Sequence, residues 1–174
     1  MTVSSPEARP AHFGWRLLAL VYDLFPSFAL VLTFGALVTA VAAAFGQPDL
    51  SNRPWAGPLL AVGTWAFTGG YFVLSWARGG QTLGMRPWRL RVVDKEGAPP
   101  ALTALFKRYA WATVPACAGL GLAALITWPT PSTPFWIAFG LALGGWLWAF
   151  VDRDGLPLHD RLSGTRFVRL LSVV

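Results

Sequence analysis

Long uncharged apolar runs dominate the pattern of this chain. Leu24 to Pro48, Pro54 to Ala77 and Tyr109 to Val151 each lack Asp, Glu, Lys and Arg. An α-helix rises 1.5 Å per residue, so about 20 such residues cover roughly 30 Å of hydrocarbon. The first two runs are therefore single spans. The third has 43 residues, too many for one crossing. Its break falls at Thr127-Trp128-Pro129-Thr130-Pro131-Ser132-Thr133-Pro134, where each proline removes a backbone donor and disfavours helix upstream. The expected fold is an all-α membrane protein, a single domain over 1–174. Four transmembrane helices near 17–45, 55–77, 105–127 and 135–151 form a bundle, with a short strand-like loop and a C-terminal tail.

Basic residues orient these spans, because loops retained in the cytoplasm keep their Lys and Arg. Arg9 and Arg16 precede the first span, and seven basic residues from Arg78 to Arg108 separate the second and third. Arg153, Arg161, Arg166 and Arg169 follow the fourth. Only Arg53 falls on the other side, a balance of thirteen to one that places both termini and the central loop in the cytoplasm of a cell inner membrane. Tryptophans at 15, 55, 76, 111, 128, 136, 146 and 148 cluster near span ends, and Trp65 alone lies mid-span. A cleaved signal peptide ending at Ala42-Ala43-Ala44 is the rival for the first run. That run is longer than an h-region and is preceded by Asp23 instead of a basic cluster.

Composition agrees with a membrane class: 55% of residues are apolar and 13% charged, with ten tryptophans. A net charge of +6 would suit nucleic acid, but the basic residues flank apolar spans, so anionic lipid headgroups are their expected partners. The lone Cys117 excludes a disulfide framework within the chain. Gly140 and Gly144 make a small-xxx-small pair in the fourth span, suited to intrachain packing or to a homodimer face.

The central loop has its own local grammar. Glycines at 79, 80 and 84 permit a tight turn off the second helix, Arg89 to Val93 alternates as a half-buried strand, and Asp94 to Gly97 supplies a turn. Thr165 to Leu170 repeats the strand flavour. The two segments either pair as a two-stranded piece or lie along the headgroups with Trp88 and Phe167 dipping in. The glycine-rich stretch lacks the Gly-Lys-Ser/Thr ending of a nucleotide loop.

Taken together, several positions resemble the RDD family of small membrane proteins. They are Arg16 and Asp23 around the first span, Gly80 to Gly84 with Thr82, and Leu90-Arg91-Val92-Val93-Asp94 with Gly97. Arg108 precedes the third span, and Leu158-His159-Asp160-Arg161-Leu162-Ser163-Gly164-Thr165 follows the fourth. The second aspartate of the family name maps to Asp160, with Asp94 and Asp152 as rivals. Many members carry lysine where Met85 stands. The resemblance implies a membrane protein for which transport is often suggested, and it names no substrate.

Arg16 and Asp23 share a helix face about 10 Å apart along the axis. Pro26 frees the carbonyl of Tyr22 beside Asp23. An intramembrane carboxylate is costly, so Asp23 is read as a structural ion pair docking the C-terminal tail, as an ion or proton site, or as an inert interfacial residue. The expected polar site joins Arg16, Asp23, Asp160 and Arg161, with Arg16 bridging Asp23 and Asp160 through its fork of donors. His159 is expected to cap or bond locally, and His12 to sit in a mobile tail. Asp152, Asp154, His159 and Asp160 meet no accepted metal spacing, so neither a metal nor a cofactor is expected. No nucleophile, histidine and acid arrangement suggests an enzyme. Two functions remain: a small transport or ion/proton-permeation component acting as a homo-oligomer or with a membrane partner protein, or a scaffold holding lipid or a partner on its basic face.

Overall fold

In a computed structural model of the protein, residues 8–47, 49–50, 53, 55–126, 140, 144–145 and 147–170 are described. The chain divides into two compact units, Met1–Arg91 with Val168–Val174, and Val92–Phe167.

The first unit is built on two long helices, α1 (Phe13–Ala44) and α2 (Ala56–Gly79). His12 opens α1, its Nδ1 accepting the Gly14 N–H at 3.2 Å. That satisfies one of the orphan donors of a helix start and corrects the expectation of a mobile tail there. Pro26 lies inside α1. Hydroxyls of Ser27, Thr33 and Thr39 donate to the carbonyls of Asp23, Ala29 and Gly35 at 2.7 to 2.9 Å, so these polar atoms need no water. Leu24, Phe25, Phe28, Leu32 and Leu37 all project outward. A water-soluble unit could not carry so large an apolar surface without aggregating. Both helices are long and apolar enough to cross a membrane. They pack through Phe34 and Phe67, ring centroids 5.5 Å apart, with Gly63 leaving room for the Phe34 ring.

Left-handed Gly80 (φ 69°) closes α2, its N–H returning to the Trp76 carbonyl. The following loop folds back so that Trp88 stacks on Trp15 at 5.3 Å and meets Tyr22 edge-on at 5.5 Å. Arg169 covers the other partner of this stack, its guanidinium 4.3 Å from the Trp15 ring. Arg89 adopts φ 53°, a turn conformation that leads into strand β2 (Leu90–Asp94).

A three-stranded sheet runs in the order β1-β3-β2, with β1 at Ala8–Pro10 and β3 at Thr165–Leu170. β1 pairs antiparallel with β3, Arg9 opposite Arg169 and Pro10 opposite Val168. The two expected strands are thus joined by a third. β1 escapes sequence reading because Ala8-Arg9-Pro10 has no alternation and ends in a residue that cannot donate, which suits an edge strand.

The second unit contains helices α3 (Leu102–Ile126) and α4 (Leu158–Ser163), packed against each other. Here Asp94 organises a turn, its Oδ1 accepting the N–H groups of Glu96 at 3.0 Å and Ala98 at 2.7 Å, while Gly97 takes φ 89°. The third expected span falls on α3, which begins at Leu102. The fourth, 135–151, lies largely outside the described residues, as do most residues flanking the Gly140 and Gly144 pair. The described chain is mostly helical with four helices and a small sheet.

Candidate functional site

Two polar clusters stand out, one in each unit. In the first, Asp23 sits on α1 with only 6% of its surface exposed. Its Oδ2 accepts the Thr82 hydroxyl at 2.5 Å, and its Oδ1 accepts the Gly84 N–H at 2.9 Å. The loop comes this close because residue 84 is glycine: a Cβ there would lie 2.4 Å from the Ala19 carbonyl oxygen and 2.7 Å from the Asp23 backbone nitrogen. Tyr71 adds a third group, its hydroxyl interacting with the Asp23 carboxylate while accepting the Leu83 N–H at 3.1 Å. Met85 fills the base of the turn at 1% exposure, its sulfur 3.5 Å from the Thr82 nitrogen. The side chain at this position is thus apolar packing.

Every partner of the Asp23 carboxylate among the described residues is neutral. Arg16, expected to pair with this carboxylate, is not among those partners. Seven residues separate Arg16 from Asp23 along α1, and the Thr82 to Gly84 loop seats itself on the carboxylate instead. Arg16 is itself buried, at 4% exposure, and is not without a partner.

The second cluster is centred on Asp160, fully buried on α4. Arg108 from α3, 2% exposed, forms an ion pair with its Oδ1 and donates to the Thr165 hydroxyl at 2.7 Å. The same guanidinium lies 4.3 Å above the Phe167 ring. His159 Nε2 stands 3.3 Å from Asp160 Oδ1. Ser163 donates back to the His159 carbonyl at 2.6 Å and lies 2.8 Å from Thr165 Oγ. Left-handed Gly164 turns the chain from α4 into β3 and so delivers Thr165 to this network. A buried charge must be paired and hydrogen-bonded, and here one arginine meets its carboxylate, a hydroxyl and an aromatic face.

Arg161, placed beside Asp160 in sequence, points away from it. Half exposed, it pairs with Asp152 and reaches Asp154 Oδ2 at 3.7 Å. Asp152 also accepts the N–H groups of Asp154 and Leu156, each at 3.1 Å. Partial burial pulls the Asp152 carboxyl upward, but these N–H groups and the Arg161 guanidinium together hold it below its ordinary value of 3.8. Of the rival aspartates, Asp94 makes a turn, Asp152 makes a loop, and Asp160 is the one locked to a buried arginine. Arg91 is an exposed strand residue. Among the described residues no three His, Cys, Asp or Glu side chains converge as metal ligands.

Sequence reasoning missed Tyr71 as a partner of Asp23 and left Arg108 unassigned to Asp160. A tyrosine near the end of an apolar run, eight residues before the Gly-rich loop that begins at Gly79, carried a weak signal that its hydroxyl needs a partner. No curated protein matches the chain, and no solved structure does. The sequence model of the RDD family matches residues 10–164, spanning both clusters. Together with two apolar helices this points to a membrane protein, and the chain belongs to the RDD family.

Proposed function

We propose that this RDD-family protein is a small transport or permeation component in which Asp23 is the group that gains and loses a proton. The carrying observation is a carboxylate nearly removed from solvent, on an apolar helix, with no cation beside it among the described residues. Such a group is costly to keep charged, and binding a proton or a cation relieves the cost. The donors around it favour the proton. Gly84 contributes an N–H, which repels a metal ion, whereas hard cations need several oxygen ligands. Thr82 and Tyr71 are hydroxyls, which can donate to a carboxylate or accept from a carboxylic acid without moving the backbone.

In this reading both termini face the cytoplasm of the inner membrane, and the thirteen-to-one distribution of basic residues supports it. A permeation path needs more helices than one chain supplies, so the protein works as a homo-oligomer or with a membrane partner. The Arg108–Asp160 cluster is a structural anchor.

Proton flux into proteoliposomes tests the proposal. Wild type should acidify or alkalinise the lumen under an imposed gradient, and Asp23→Asn should not, although its amide keeps an oxygen for the Gly84 N–H and a donor for Thr82. Equal flux through Asp23→Asn would refute the assignment of Asp23. No flux above empty liposomes in wild type would favour a non-transporting scaffold.

A further inference from the structure

A cleft of about 450 Å³ opens beside the end of α2, within the first unit. Tyr71, Leu74, Ser75 and Arg78 line it from one face of the helix, spaced three and four apart, and Leu83 and Arg86 line it from the loop. Arg78 and Arg86 are both exposed, and neither guanidinium has an ion pair or hydrogen bond among the described residues. The Ser75 hydroxyl likewise makes no hydrogen bond there. Other arginines are held by partners: Arg108 by Asp160, Arg161 by Asp152, Arg166 by the carbonyls of Asp94 and Lys95. Two uncommitted guanidinium groups in one cleft are a site for a doubly hydrogen-bonded anion.

The cleft's sign also separates it from proton or cation entry. Tyr71 stands between the cleft and Asp23, so the cleft would be the obvious vestibule to the carboxylate. Two arginines at its mouth would repel a cation approaching by that route. An anion is attracted instead.

Apolar neighbours identify which anion. Leu74 and Leu83 are 50% and 53% exposed on the cleft walls, beside the arginines. A free phosphate would leave this apolar surface wet, whereas a phospholipid would set its phosphodiester between the guanidinium groups and lay an acyl chain along the leucines. We infer that the cleft formed by Tyr71, Ser75, Arg78, Leu83 and Arg86 binds the headgroup phosphate of an anionic phospholipid from the leaflet that meets the end of α2.

Native mass spectrometry of the purified full chain tests this, with phosphatidylglycerol and phosphatidylcholine as probes. Wild type should retain phosphatidylglycerol about thirtyfold over phosphatidylcholine, given about 1 kcal/mol for each of two basic residues near an anionic surface. Arg78→Gln with Arg86→Gln should abolish that preference. Arg91→Gln with Arg153→Gln removes the same charge from exposed sites elsewhere and should keep it. Loss of preference in both double variants would overturn the cleft assignment, because bulk charge alone would then explain retention. Displacement of phosphatidylglycerol by millimolar inorganic phosphate would overturn the lipid assignment, making the cleft a site for a soluble anion. A wild type without preference would overturn both.

Discussion

Gly84 donates its N–H to Oδ1 of Asp23 at 2.9 Å, joining a loop to a helix 61 positions earlier in the chain. The contact requires a missing side chain, because a Cβ would penetrate the Ala19 carbonyl oxygen and the Asp23 backbone nitrogen. Both obstacles are held by helix backbone and cannot swing aside. Gly84→Ala should therefore push the loop off α1, break the Thr82 bond as well, and lower stability in detergent by about 3 kcal/mol or more. Gly70→Ala, where a Cβ meets nothing within 4 Å, is the control and should melt with or above wild type. Thermal unfolding followed by Trp fluorescence reads both.

The arginines divide sharply by burial. Arg108→Ala removes the arginine partner of a fully buried Asp160 and should cost about 3 to 5 kcal/mol, the usual penalty for breaking a buried pair by deleting one member. Arg161→Ala should cost little, since its guanidinium is half in solvent and screened. Arg108→Lys should recover only part of the loss, because an ammonium cannot serve Asp160 and Thr165 while lying flat on Phe167. Denaturation of the three variants in one detergent ranks them.

The helices were legible from sequence because uncharged runs of this length have one physical solution, and the loop glycines announced the turn that Gly80 makes. Pairing was not legible. Arg16 and Asp23 shared a helix face in sequence, so Arg16 was the nearest cation on paper. The loop that supplies Thr82 and Gly84 comes from 59 and 61 positions away, and no periodicity encodes such a contact. Arg108 and Asp160 are separated by 52 residues, and only the family resemblance had marked Arg108. β1 is three residues long and leaves no pattern at all.

Acid should weaken the loop around Asp152. Its folded carboxyl is held below 3.8, so the contribution to folding is complete above that value and is lost as pH falls through the lower folded one. Asp152→Asn should remove this acid sensitivity. Carbon chemical shifts of the Asp152 carboxyl across an acid titration measure it directly, and a midpoint at or above 3.8 would contradict the loop geometry.

Topology rests on charge and is open to labelling. Cysteines placed at Lys95 and at Arg53 in a Cys117→Ala background should react with an impermeant maleimide from opposite sides, Arg53→Cys from outside intact cells and Lys95→Cys only after permeabilisation. Reaction of Lys95→Cys in intact cells would invert the orientation.

The central claim is that Asp23 takes up and releases a proton in place, and difference infrared spectroscopy on membranes bearing the protein reads that event most directly. Stepping the pH should raise and lower a carboxylic C=O band in wild type that shifts with solvent deuteration. The band should be missing in Asp23→Asn and displaced in frequency by Thr82→Val, which removes the hydroxyl 2.5 Å from the carboxylate. If wild type and Asp23→Asn give the same difference spectrum at every pH, Asp23 does not titrate in the membrane, and its carboxylate only fastens the loop to α1.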